Sequence, residues 1–217
     1  MDKMQYGKLF LNNVIITVIG IVGIIIFSSM SAYIISRKKN KYTRFAQFMI
    51  TTPMLIPFQT IMITLLKVMN VVNLSGSKVG LGIQYWGFGI PMAAFIYGNF
   101  MSTIPKELDE SAFIDGAGTF RTYRSIIFPL LKSVTFTVIV IDVMWIWNDF
   151  LLPLLMVNSS NETKTLVLSA YTFVGQFNTQ WHYAMAAMVL AVLPSIIIFI
   201  FLQKYIVEGV VAGAVKG

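Results

Sequence analysis

The sequence predicts an all-α, polytopic membrane protein, and three observations lead there. Hydrophobic residues make up 57% of the 217 and charged residues only 12%, apolar surface that a soluble fold of this size has no place to bury. The apolar residues fall into five runs near 11–35, 45–69, 79–100, 134–157 and 183–207, each at or above the roughly 20 residues that cross a hydrocarbon core of about 30 Å. The cations collect in alternate loops. Arg37, Lys38, Lys39, Lys41 and Arg44 stand after the first run, and Lys106, Arg121, Arg124 and Lys132 after the third. By the positive-inside rule those two loops are cytoplasmic, the N-terminus external and the C-terminus internal.

Taken in order, the first run carries Ser28, Ala32 and Ser36 at four-residue spacing, a packing seam of small side chains. Pro53 and Pro57 predict kinks in the second, and Pro91 in the third, which also presents Ala94 and Gly98 as a seam. The fifth repeats the device with Ala187, Ala191 and Ser195 and is kinked by Pro194. Odd parity with an external N-terminus is awkward, and a further span upstream would remove the difficulty.

Between the third and fourth runs lies a polar island, 101–133. Pro105 suits the first turn of a helix, Glu107 and Glu110 its positive end, and Asp115-Gly116 a left-handed terminus, so a short helix is predicted from about 105 to 114. Pro129 bounds a second short helix. Carboxylates (Glu107, Asp109, Glu110, Asp115) ahead of cations (Arg121, Arg124, Lys132) suit a surface gripped by another protein; a solvated loop with ordinary caps is the alternative.

In the fourth run Asp142, Trp145, Ile146 and Asp149 share one helical face. A carboxylate at this depth must face protein or water. A hydrogen bond from Asp142 to a neighbouring helix is the favoured reading. A pathway set of Asp142, Trp145, Asn148 and Asp149 is the other, and for Asn148-Asp149 a turn before Pro153 competes with it. A proton-coupled secondary transporter would use Asp142 and Asp149 as relays, although a relay needs no docking island.

The composition also excludes. Without cysteine there are no disulfides or thiolate sites, and the single His182 forbids a multi-histidine metal cluster. No phosphate-cradling glycine loop, nucleophile elbow or His-Glu-x-x-His pair occurs. No catalytic, cofactor-binding or metal residue is therefore expected, and any ATP is bound by a partner. The net charge of +7 reflects membrane topology, not a nucleic-acid groove.

Glu110-Ser-Ala, Gly116 four residues on, and Ile126-Ile-Phe-Pro129 beyond it resemble the EAA loop of bacterial ABC importer permeases, with Ser111 for the usual Ala and Phe128 for the usual Leu. Trp147-Asn148-Asp149-Phe150, the stretch 168–188 and the tail Gly209-Val-Val-Ala-Gly-Ala-Val-Lys-Gly217 extend the resemblance to the carbohydrate-uptake permeases similar to the second membrane subunit of the maltose transporter. The resemblance covers essentially the whole chain. It implies a type I ABC importer permease fold with five of the usual six spans, the first being absent. It implies a homologous permease partner, two cytoplasmic ATPase subunits and an extracytoplasmic sugar-binding protein, all at the bacterial cytoplasmic membrane. Glu110, Ala112, Asp115 and Gly116 would couple to the ATPase, with Ala112 allowing close approach. Gly209, Gly213 and Lys216 would meet the ATPase on an extended tail, and the loop 158–180 would face the binding protein. An ABC permease for another solute class would share the EAA loop but not the tail.

Overall fold

The computed structural model describes residues 5–158, 162–174 and 180–214, with backbone only from 204 onward. Helices dominate the described residues. Helix α1 (Tyr6–Arg37) is an almost uninterrupted apolar run that ends where Arg37 stands in its last turn, the end of a helix that favours a cation. Asn40 then starts α2 (Lys41–Thr51) with a capping box. Its side chain accepts from the Tyr42 and Thr43 amides, both at 2.9 Å, and the Thr43 hydroxyl accepts from the Asn40 amide at 3.1 Å.

Here the expectation of one kinked helix over 45–69 is corrected. A 3₁₀ turn (Thr52–Leu55) ends α2, and a separate helix α3 runs Phe58–Val71. Pro57 has no amide hydrogen and pushes Ile56 out of the helical region, so two prolines four residues apart break the helix instead of bending it. By contrast Pro91 and Pro194 lie inside continuous helices, α4 (Lys78–Met101) and α11 (Trp181–Ala214).

The polar island folds as α5 (Glu107–Ile114), α6 (Thr119–Thr122), a π turn over Tyr123–Ile127 and α7 (Phe128–Leu130). The chain turns by 76° into α8 (Lys132–Asn148). Helix α8 stops at Asp149, whose carboxylate accepts the Leu151 amide at 3.1 Å and starts α9 (Leu151–Val157). The fourth apolar run is thus two helices with a break at Asp149-Phe150. A short α10 (Leu166–Ala170) follows, its first turn closed by Thr165. Among the described residues three helices, Tyr6–Arg37, Lys78–Met101 and Trp181–Gln203, are long and apolar enough to cross a membrane, and five spans result if each of two broken pairs counts as one.

The tail corrects another expectation. Helix α11 carries Gly209 and Gly213 in helical backbone through Ala214 instead of extending. Adding residues to a long established helix costs no new nucleation, which offsets about 1 kcal/mol per glycine. Lys216 lies outside the described residues.

The chain divides into two compact units. One comprises Met1–Val22, Ile56–Trp86 and Asp142–Phe201. In its core Leu9, Trp147, Leu166, Ala170, Ala187 and Ala191 pack together, and the small residues of α11 let the Trp147 indole approach closely enough to donate to the Ala191 carbonyl at 3.1 Å. Gly82 is needed for a second close approach: a Cβ there would lie 2.6 Å from Ile19 Cγ2 and 2.8 Å from Ile19 Cβ, whereas one on Gly20 would meet the movable tip of Ile146, Cδ1, at 2.9 Å. Nearby, the Trp86 indole donates to the Ile19 carbonyl at 2.9 Å.

In the same unit two adjacent asparagines pin the segment 162–166 to α1. Asn12 donates to the Glu162 and Lys164 carbonyls, both at 3.0 Å, and accepts from Lys78 Nζ at 3.1 Å. Asn13 donates to the Trp147 carbonyl at 3.2 Å and accepts the Leu166 amide at 2.9 Å. Lys8 pairs with Glu162 and holds that exposed carboxyl below its usual range.

The other unit comprises Gly23–Leu55, Gly87–Ile141 and Leu202–Gly217. Its buried side chains include Ser28, Ala32, Tyr33, Tyr97, Met101 and Ile127. Of the expected seam Ser28 and Ala32 are buried and Ser36 is half-buried. Gly98 forms no seam: a Cβ there would meet nothing within 4 Å, so this glycine borders open space.

Candidate functional site

The polar island is built around one buried carboxylate. Asp109, in the first turn of α5, is 6% exposed. Tyr33 Oη donates to its Oδ1 at 2.6 Å, and Arg37 Nε lies 2.9 Å from its Oδ2. Tyr33 and Arg37 are one turn apart on α1, so a single helical face presents both. Arg37 Nη1 also donates to the Ile104 carbonyl at 3.1 Å, tying down the strand of chain that leads into α5. A buried carboxylate is tolerated when a cation and a hydroxyl satisfy it together.

Ala112 follows Asp109 on the inner face and is 4% exposed. Its methyl is buried inside this unit.

The outer face is left free. Glu107, Glu110 and Asp115 are exposed, and so are Phe113 at 50% and Ile114 at 86%. The helix closes with a Schellman turn: the Gly116 amide donates to the Phe113 carbonyl at 3.0 Å and the Ala117 amide to the Ala112 carbonyl at 2.8 Å. Gly116 sits at φ +79°, the left-handed region that glycine enters without strain. Beyond the turn, Tyr123 shares a hydrogen bond with Ser29 at 2.7 Å and meets the Tyr33 ring at a tilt of 39°, 5.5 Å between centroids. A platform of Ser29, Tyr33 and Arg37 therefore holds the island from behind, and its acids and apolar tips project outward.

The residues expected as a pathway set are more dispersed in role. Asp149 is engaged by Tyr85 Oη at 2.9 Å and by the Leu151 amide, so the turn reading accounts for it. Asn148 donates to the Met144 carbonyl at 2.8 Å and accepts from Ser195 at 3.2 Å. Trp145 meets Tyr85 edge-on at 5.3 Å and is 40% exposed. Asp142 is 5% exposed, and the hydrogen bond to a neighbouring helix expected of it is not formed among the described residues. Of the loop 158–180, residues 159–161 and 175–179 lie outside the described residues.

Sequence reasoning missed Tyr33, Arg37 and Asn13. The signal for the first two was available: a tyrosine and an arginine four apart at the end of an apolar helix, with an aspartate four residues past the proline that precedes α5.

The chain matches the family model of the binding-protein-dependent transport system inner membrane component over residues 9–211. It is 41% identical to the probable starch degradation products transport system permease protein AmyC of Thermoanaerobacterium thermosulfurigenes, covering 99% of this chain and 77% of that protein. It is 35% identical to the multiple sugar-binding transport system permease protein MsmG of Streptococcus mutans (97% and 76%) and 34% identical to the melibiose/raffinose/stachyose import permease protein MelC of Bacillus subtilis (100% and 78%). Its fold is similar to a chain in the crystal structure of a bacterial ABC transporter involved in the import of the acidic polysaccharide alginate. That likeness has a TM-score of 0.76 at 21% identity and covers 92% of this chain and 75% of the other. An all-helical fold of this kind, with apolar helices of membrane-crossing length and a match along nearly the whole sequence, makes the assignment plain: the chain belongs to the inner membrane components of binding-protein-dependent transport systems, the permeases of ABC importers.

Proposed function

We propose that this chain is one membrane-spanning subunit of an ATP-driven carbohydrate importer, coupled through α5 to an ATPase that it does not itself contain. The observation that carries the reading is the two-sidedness of α5: Asp109 is clamped inward by Tyr33 and Arg37, while Glu110, Phe113 and Ile114 stand outward. A partner that grips the outer face pulls on a helix whose inner face is bound to α1 by a buried ion pair. Breaking such a pair costs roughly 3–5 kcal/mol, so the two move together. Force on α5 thus reaches a membrane helix and shifts the balance between inward-open and outward-open states.

In this reading the island and the chain's C-terminus are cytoplasmic, consistent with the cations at 37–44 and 101–133. A homologous permease, two ATPase subunits and an extracytoplasmic sugar-binding protein complete the assembly, with the segment after α9 turned toward the binding protein. Carbohydrate as the solute class is supported by the names of the relatives, which include permeases for starch degradation products and for melibiose, raffinose and stachyose.

The test is reconstitution. The tagged chain, solubilised mildly from its host membrane, should bring an ATP-binding subunit and a second permease with it. Vesicles of that complex, given the binding protein outside, should take up labelled oligosaccharide only with ATP inside. Uptake that proceeds without ATPase and follows a proton gradient would overturn the reading.

A further inference from the structure

Helix α2 presents two chemically different sides. Arg44, Gln47 and Thr51, spaced three and four apart, line a cavity of about 370 Å³. On the other side Tyr42, Phe45 and Met49 are 72%, 64% and 46% exposed. A helix with aromatic and thioether side chains on one side and a cation on the other suits the plane of a membrane interface.

Around the cavity the charge is of one sign. Lys39 and Lys106 join Arg44 on its wall, no carboxylate lines it, and none of the three forms an ion pair among the described residues. Arg37 also borders it, but its charge is met by Asp109. The floor is open at Gly98, where an added Cβ would touch nothing within 4 Å. Beside the cations lie Ile50 and Phe95, the latter 50% exposed. A ligand that satisfies both walls carries a negative head and an apolar body.

We infer that this cavity receives the phosphate head group of an anionic phospholipid, with the acyl chains running out along Ile50 and Phe95. Ion-paired head groups and apolar chains then meet the two walls in the order a bilayer supplies them. A free phosphate would leave Ile50 and Phe95 facing water, so the lipid is the better occupant. That the inner leaflet supplies the lipid rests on the orientation proposed above; the binding itself does not.

The test uses the full chain in detergent, offered phosphatidylglycerol and phosphatidylcholine in equal amounts, with retained lipid counted by native mass spectrometry. Wild-type protein should retain phosphatidylglycerol preferentially. The double change Lys39→Gln and Arg44→Gln should cut that preference about tenfold or more, each surface cation being worth roughly a fivefold change. Gly98→Phe should cut it with every cation in place, because the ring fills the cavity. Lys67→Gln with Lys164→Gln, an equal loss of charge outside the cavity, should leave it unchanged. The proposal fails if phosphatidylglycerol is not preferred, or if the control pair lowers the preference as much as the cavity pair. It fails too if Gly98→Phe retains the lipid while its thermal melt matches wild type. Displacement of the lipid by inorganic phosphate would make this a soluble-anion site, and displacement by poly-glutamate a protein-docking site; either result overturns the lipid assignment.

Discussion

Arg37 and Asp109 form an ion pair at 2.9 Å whose side chains are only 12% and 9% exposed, joining the last turn of α1 to the first turn of α5. Both charges are withdrawn from water, so each depends on the other. Asp109→Asn keeps an acceptor for Tyr33 but leaves the guanidinium without its counter-charge, and should destabilise the protein by roughly 3 kcal/mol. Glu107→Gln, on the exposed side of the same turn, should change stability by under about 0.5 kcal/mol. Thermal unfolding in detergent separates them, and equal melting temperatures would refute the clamp.

Glu110 is the second case, and it divides binding from folding. Because Glu110 is exposed, Glu110→Lys should leave the melting temperature near wild type yet abolish ATPase recruitment or coupled uptake. A reversed charge in the ATPase cleft should restore part of the activity. Normal uptake by the single variant, in a complex with its ATPases, would show the island to be an ordinary solvated loop.

Gly116→Val acts through the backbone instead. At φ +79° a β-branched side chain is strained, at a cost of about 1–2 kcal/mol, and the Schellman turn behind α5 loosens. Amide exchange should rise at Gly116 and Ala117, and no charge change in a partner should compensate.

For Asp142 the expected outcome is tolerance. Asp142→Asn removes a buried charge while preserving shape, so assembly should be unaffected and uptake should stay within a fewfold of wild type. Loss of uptake by an otherwise intact complex would move Asp142 into the translocation path.

Much of this was legible in the sequence, and the failures have physical causes. Apolar runs announced the helices at 6–37, 78–101 and 181–214 because hydropathy over 20 residues is a strong signal. The Asp115-Gly116 terminus was readable because so few residues accept a positive φ. The break at Pro57 was read only as a kink, since composition does not say whether neighbouring helices will re-satisfy the lost backbone bonds. The burial of Ala112 was not readable, because a motif gives residue types but not which side of the helix is covered. Asp109 looked like one acid among four; its distinction lies in Tyr33 and Arg37, more than 70 positions away.

The paired carboxamides of α1 bear on the order in which the molecule assembles. Asn12 and Asn13 find their backbone partners 134 to 153 positions downstream, so none of those bonds forms until most of the chain has been made and inserted. Contacts of such separation close late, after the helices they join already exist. The pinning of 162–166 is then a latch and not a nucleus. Asn13→Ala, which strands the Trp147 carbonyl and the Leu166 amide, should cost about 2–4 kcal/mol. It should appear as faster unfolding with an almost unchanged folding rate, the kinetic mark of a fastening made at the end.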